Sequence, residues 1–82
     1  MWKIKLADDT ELNIGYCGVS EGIMWIALPE LAMMDAFQIF SDKTRTQTIV
    51  AYGDVVHEGY TDLIHLSIEY DGGVKVALRK GD

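Results

Sequence analysis

In the stretch LIHLSIEYDGGVKVALRK, residues 63–80, apolar and polar side chains alternate on either side of a turn. Ile64, Leu66, Ile68 and Tyr70 share one face of an extended segment. Val74, Val76 and Leu78 share one face of the next, because successive strand side chains point to opposite sides. A two-residue loop at Gly72-Gly73 would put the two apolar faces out of phase. A three-residue loop, Asp71-Gly72-Gly73, keeps them together and predicts Tyr70 opposite Val74, Ile68 opposite Val76 and Leu66 opposite Leu78. Glu69 then faces Lys75 on the other side.

The first fourteen residues repeat the design. A loop at Ala7-Asp8-Asp9 pairs Leu6 with Thr10, Ile4 with Leu12 and Trp2 with Ile14, and sets Lys5 opposite Glu11. A slip of one residue would expose each apolar set, so both registers are expected to be firm. Strands are predicted at 2–6, 11–17, 22–28, 46–52, 55–60, 63–70 and 74–79, with turns at 20–22 and 52–54. One helix is predicted between Glu30 and Ser41, with Met33, Ala36, Phe37 and Phe40 as its apolar stripe, Pro29 in its first turn and no capping residue at its start. The fold expected is mainly β: an antiparallel sandwich or partly open barrel of six or seven strands, with one short helix over an end or a face.

The run IMWIAL, residues 23–28, departs from the alternation, being apolar on both faces. Such an uncharged run is an aggregation hazard unless covered. A central strand covered on both faces is expected, with Met33, Phe37 and Phe40 on one of them. Trp25 should then be largely buried in the assembled state, and any apolar patch left near it should form a contact between copies.

Eighty-two residues make a single domain, 1–82, and 49% hydrophobic residues supply a modest core. The net charge of −6 argues against nucleic-acid backbones and anionic membranes as partners. The longest uncharged run is far too short to span a bilayer, and the start does not read as a signal peptide. Cys17 is the only cysteine, so no internal disulfide is expected, which fits a reducing compartment.

The chemistry-bearing residues do not converge on a site. His57 and His65 stand on different predicted strands, and even with Cys17 they fall short of a zinc ligand set. Asp8 and Asp9 sit where a hairpin turn favours aspartate. The serines have no elbow or base partner, and the glycines form no phosphate loop. No catalytic, metal or cofactor residue is predicted, and the protein is not expected to be an enzyme. The candidate interaction residues are Trp25, Met24 and Tyr60.

Three stretches, KIKLADDTEL, AFQIFSDKTRTQTI and YGDVVHEGYTDLIHLSI, taken in order, resemble small prophage-encoded proteins of Gram-positive gut and soil bacteria. The resemblance covers most of the chain and carries over no functional residue. It implies a phage-derived assembly or interaction protein, tail- or virion-associated, found in the host cytoplasm or the virion. Its partner would be another protein or further copies of itself. The alternative is a host-directed acidic adaptor or inhibitor that binds a basic protein.

Overall fold

The computed structural model describes residues 2–81. Among them are eight strands: β1 (Trp2–Lys5), β2 (Glu11–Ile14), β3 (Tyr16–Ser20), β4 (Ile23–Leu28), β5 (Thr48–Ala51), β6 (Val55–Glu58), β7 (Asp62–Ile68) and β8 (Val74–Arg79). Two helices, α1 (Met33–Phe40) and α2 (Lys43–Thr46), lie between β4 and β5. The strands form two open antiparallel sheets, ordered β2-β1-β5-β6 and β3-β4-β8-β7. The fold is mainly β, as the alternation predicts, with eight strands instead of six or seven. The extra strand arises because the expected strand 11–17 is broken at Gly15, where the chain leaves the first sheet and enters the second.

The order within each sheet reveals a repeat that the residues themselves do not show. Exchanging β1 with β5, β2 with β6, β3 with β7 and β4 with β8 leaves both sheet orders unchanged. Each half of the chain therefore lays one hairpin in each sheet, and the halves meet along the antiparallel pairs β1–β5 and β4–β8.

One face of each sheet supplies the core. Ile4, Leu6, Ile14, Ile49 and Ala51 of the first half-layer meet Met24, Ile26, Leu28, Val74, Val76 and Leu78 of the second, all buried. Helix α1 packs against β7 and β8. It buries Ala36 and Phe40 completely, with Met33 and Ile39 partly covered. Phe37, expected in the stripe, is 54% exposed instead. The helix is also shorter than expected. Pro29 lies in a turn ahead of it, and Ala32 stands at the N-cap with no side-chain bond. The polar stretch after it forms α2, where the Asp42 carboxylate accepts the Thr44 N–H at 3.0 Å as an N-cap.

The first hairpin has the predicted register, Trp2 with Ile14, Ile4 with Leu12 and Lys5 with Glu11. Asp9, with φ 71°, supplies the left-handed third loop position. The last hairpin differs. Ile68 faces Val74, Leu66 faces Val76 and Ser67 faces Lys75, a shift of two residues from the expected pairing of Ile68 with Val76. The loop is Tyr70-Asp71-Gly72, closed by Glu69 N–H to Gly73 O at 2.7 Å, with Gly72 at φ 94° in the third position. That position needs positive φ, and Gly72 provides it without cost. Gly73 is free to pass close beneath Pro29: a Cβ there would stand 2.6 Å from Pro29 Cα. A shift of two keeps every side chain on its predicted face. Ile64 is the exception, because a bulge between Leu63 and His65 lets Leu63 take the place opposite Leu78.

Tyr52 links the two sheets. It leaves β5 with φ 55°, and its hydroxyl reaches β3, accepting the Cys17 N–H at 2.8 Å and donating to the Cys17 carbonyl at 3.0 Å. Trp2 packs edge-on against its ring, with centroids 4.8 Å apart. β3 is an edge strand, so this hydroxyl satisfies backbone groups that no strand pairs.

Tyr52→Phe should lower unfolding free energy by about 1–3 kcal/mol, because it leaves both Cys17 backbone groups without their partner. Urea titration of the variant against the parent measures it. Hydrogen bonds to Thr44 and to Thr10 hold the Asp42 and Asp8 carboxyls below their ordinary range. Their folded-state values are depressed, so their contribution is fully present above about pH 4 and fades as pH falls through the lower folded value. Melting temperature followed downward in pH should fall less steeply for Asp42→Asn than for the parent.

Candidate interaction surface

β4 is an interior strand, flanked by β3 and β8. Met24, Ile26 and Leu28 point into the core, so Ile23, Trp25 and Ala27 must point outward. The registers fix their neighbours on that outer face. Tyr16, Ala27, Lys75 and Ser67 form one row across the four strands, and Gly18, Trp25, Ala77 and His65 form the next. A third row runs Ser20, Ile23, Arg79 and Asp62.

Trp25 is half-buried at the centre of this face. The small residues Gly18 and Ala77 on either side let the indole lie low, and Ala77 is fully covered. The His65 imidazole is tilted against the indole with centroids 5.6 Å apart, and the Lys75 ammonium stands 4.9 Å from its centroid, within cation–π range. Tyr16 is 55% exposed, and its phenol lies over Gly18, where a side chain would displace it. The imidazole Nε2 of His65 lies 3.0 Å from Ser67 Oγ. Arg79 reaches the Asp62 carboxylate at 3.4 Å.

The next row, toward the β7–β8 turn, opens into a cleft of about 410 Å³ lined by Gly15, Ala27, Pro29, Glu69, Tyr70 and Asp71. Tyr70 at the turn tip is fully exposed. The face thus runs from an aromatic centre into a shallow trough with carboxylates at its far end.

The three sequence candidates are placed differently. Trp25 stands on this face, half-buried in the single chain, and the helix stripe expected over β4 packs on β7 and β8 instead. Met24 is fully buried in the core, paired beside Val19 and Leu78, and offers no surface. Tyr60 belongs to the link between β6 and β7. It packs against the core margin and edge-on to His57 at 6.0 Å, with the Lys80 ammonium 5.9 Å from its ring. Tyr16, His65, Lys75 and Tyr70 are the residues that sequence reasoning missed. The signal for them was the second apolar face of residues 23–28, which implied an outer row but not its neighbours.

The reactive groups remain dispersed. His57 is in the first sheet and His65 in the second. The Cys17 thiol is buried, and that burial pushes its pKa up to about 11. Among the described residues, no three His, Cys, Asp or Glu side chains are grouped to hold a metal ion. No described helix is long and apolar enough to cross a membrane. Comparison with known proteins gives no match: no family model, no curated protein and no solved structure matches this chain.

Met24→Ala should cost about 2–5 kcal/mol, as a deletion in a closed core does. Trp25→Ala should cost clearly less and leave the core intact, since its indole covers one outer row only. Parallel denaturation of the two variants checks the order, and a Trp25 loss equal to that of Met24 would contradict the placement.

Proposed function

We propose that the protein is a non-enzymatic interaction protein that presents the outer face of its β3-β4-β8-β7 sheet to a protein partner. The observation that carries this is Trp25: an aromatic side chain at the centre of an interior strand, on a face that no other element of the fold covers. Tryptophan and tyrosine at the middle of a surface are the residue types that dominate binding energy once a partner excludes water. Tyr16 and Trp25 are held in place by rigid strands, so little order has to be gained on binding. The resemblance to prophage-encoded proteins makes the partner a component of a phage assembly, tail or virion, met in the host cytoplasm or in the particle.

The net charge of −6 supports a second reading, an acidic adaptor or inhibitor of a basic host protein. The two readings rely on different groups: Lys75 and Arg79 stand in the rows around Trp25, while Asp62, Glu69 and Asp71 lie only at the margins of that face. They respond to different experiments. If the aromatic face binds, Trp25→Ala should weaken association with the co-purifying native partner by at least about 2 kcal/mol, with little dependence on salt. If the acidic surface binds, added salt should abolish association and Trp25→Ala should leave it intact. Folded Trp25→Ala and Tyr16→Ala variants that retain the partner in full would overturn the first reading.

A further inference from the structure

A sandwich of two open sheets has four edge strands, and three of these edges are short or closed. β2 and β6 have four residues each and carry Glu11 and Glu58. β3 is tied at Cys17 by the Tyr52 hydroxyl. β7 is different. It has seven residues, pairs with β8 on one side only, and from Leu63 to Ile68 contains no Asp, Glu, Lys, Arg or Pro. Edge strands are normally blunted by such residues. The bulge at Leu63/His65 disturbs only the first part of the strand.

The direction of the free backbone groups follows from the turn. Glu69 N–H bonds to Gly73 O and Gly72 N–H to Glu69 O, so Glu69 is directed inward, toward β8. Inward and outward residues alternate along an antiparallel ladder. Ser67 is therefore inward, and Leu66 and Ile68 direct their N–H and C=O groups away from the sheet. Ile68 is 65% exposed beside this edge. Helix α1, which packs on β7 and β8, leaves Met34 and Phe37 exposed.

We propose that β7 pairs antiparallel with β7 of a second copy of this chain, with Ser67 on the two-fold axis, joining two sheets into one of eight strands. The sequence on either side of Ser67 is complementary to itself in this register. Leu66 of each copy faces Ile68 of the other in a hydrogen-bonded pair, so apolar meets apolar. His65 of each copy faces Glu69 of the other, and no like charges meet. A register centred on Leu66 would instead run through the bulge. An isologous contact of this kind closes at two chains and leaves no free β7 edge. It goes beyond the assignment of the Trp25 face and does not depend on it. The two-fold axis leaves both Trp25 faces on the same side of the joined sheet.

Ser67 paired with Ser67 is a non-hydrogen-bonded position, with Cα atoms about 4.5 Å apart, inside the disulfide range of about 4.4–6.8 Å. Ser67→Cys is therefore expected to give a reducible covalent dimer under mild oxidation, faster than a Val56→Cys control on β6. The buried Cys17 stays out of this reaction. Light scattering should give twice the 9.2 kDa chain mass for the unmodified protein at high concentration, falling on dilution. Ile68→Lys should return the chain mass with unchanged circular dichroism, while Val56→Lys and Trp25→Ala remain dimeric. A single-chain mass at every concentration, a dimer that survives Ile68→Lys, or Ser67→Cys cross-linking no faster than the control would each overturn the proposal. Loss of dimer in Ile68→Lys with the Trp25-dependent partner still bound would separate the two surfaces.

Discussion

The hydroxyl of Tyr52 is the tie on which the arrangement of the two sheets depends. It is one group with one donor and two acceptor sites, and it spends a donor and an acceptor on the same residue of the facing sheet, Cys17. To reach that residue Tyr52 holds a left-handed backbone that a bulky side chain rarely adopts. The strain is local, and the reward is not. The bond closes the β3 edge, fixes the end of the β5–β6 hairpin and seats Trp2 against the ring. An apolar layer between two sheets resists their separation but is nearly indifferent to small sliding. A directed bond from a turn of one sheet to an edge of the other is not.

Much of this fold was legible because side-chain alternation has a period of two. Leu66 and Ile68 fell on their predicted face although their predicted partners were off by two residues, since a shift of two preserves parity. The partners were missed because the choice between Asp71-Gly72-Gly73 and Tyr70-Asp71-Gly72 rests on which glycine takes positive φ. Two adjacent glycines make that choice locally equal. What decides it lies elsewhere in the chain: Gly73 must pass beneath Pro29, a contact no local pattern encodes. Ile64 was misplaced for a related reason. A bulge changes parity at one point, and DLIHLSI contains no glycine or proline to announce it.

The helix and the candidate surface were less legible, and for one physical cause. A pattern shows that a face is apolar, but not what covers it. The pattern alone puts the stripe of Met33, Phe37 and Phe40 over residues 23–28. The helix instead lies on β7 and β8, where rotation of its axis buries Ala36 and Phe40 and turns Phe37 outward. The second apolar face of residues 23–28 calls for cover, and the pattern does not say whether the chain itself or another copy supplies it. With one sheet face committed to the core and the two turns of α1 packed on β7 and β8, no described element lies over Trp25. Small neighbours and the Lys75 stem reduce its exposure, which is why it ends half-buried.

The topological repeat explains why the two outer strands of the second sheet differ. β3 and β7 occupy equivalent places, as do the turns that follow β5 and β1. The β5–β6 turn begins with Tyr52, whose reach closes β3. The corresponding β1–β2 turn is Ala7-Asp8-Asp9. It has no side chain long enough to do the same for β7, and its Asp8 is engaged with Arg45 of α2 at 3.0 Å. Helix α1 packs on β7 and β8, but it leaves Ile68 exposed and the β7 edge unbonded. A fold whose two halves were equally capped would be closed at both edges. Here one tyrosine has no counterpart, so the asymmetry between a turn that starts with tyrosine and one that starts with alanine selects which strand is open to a second chain.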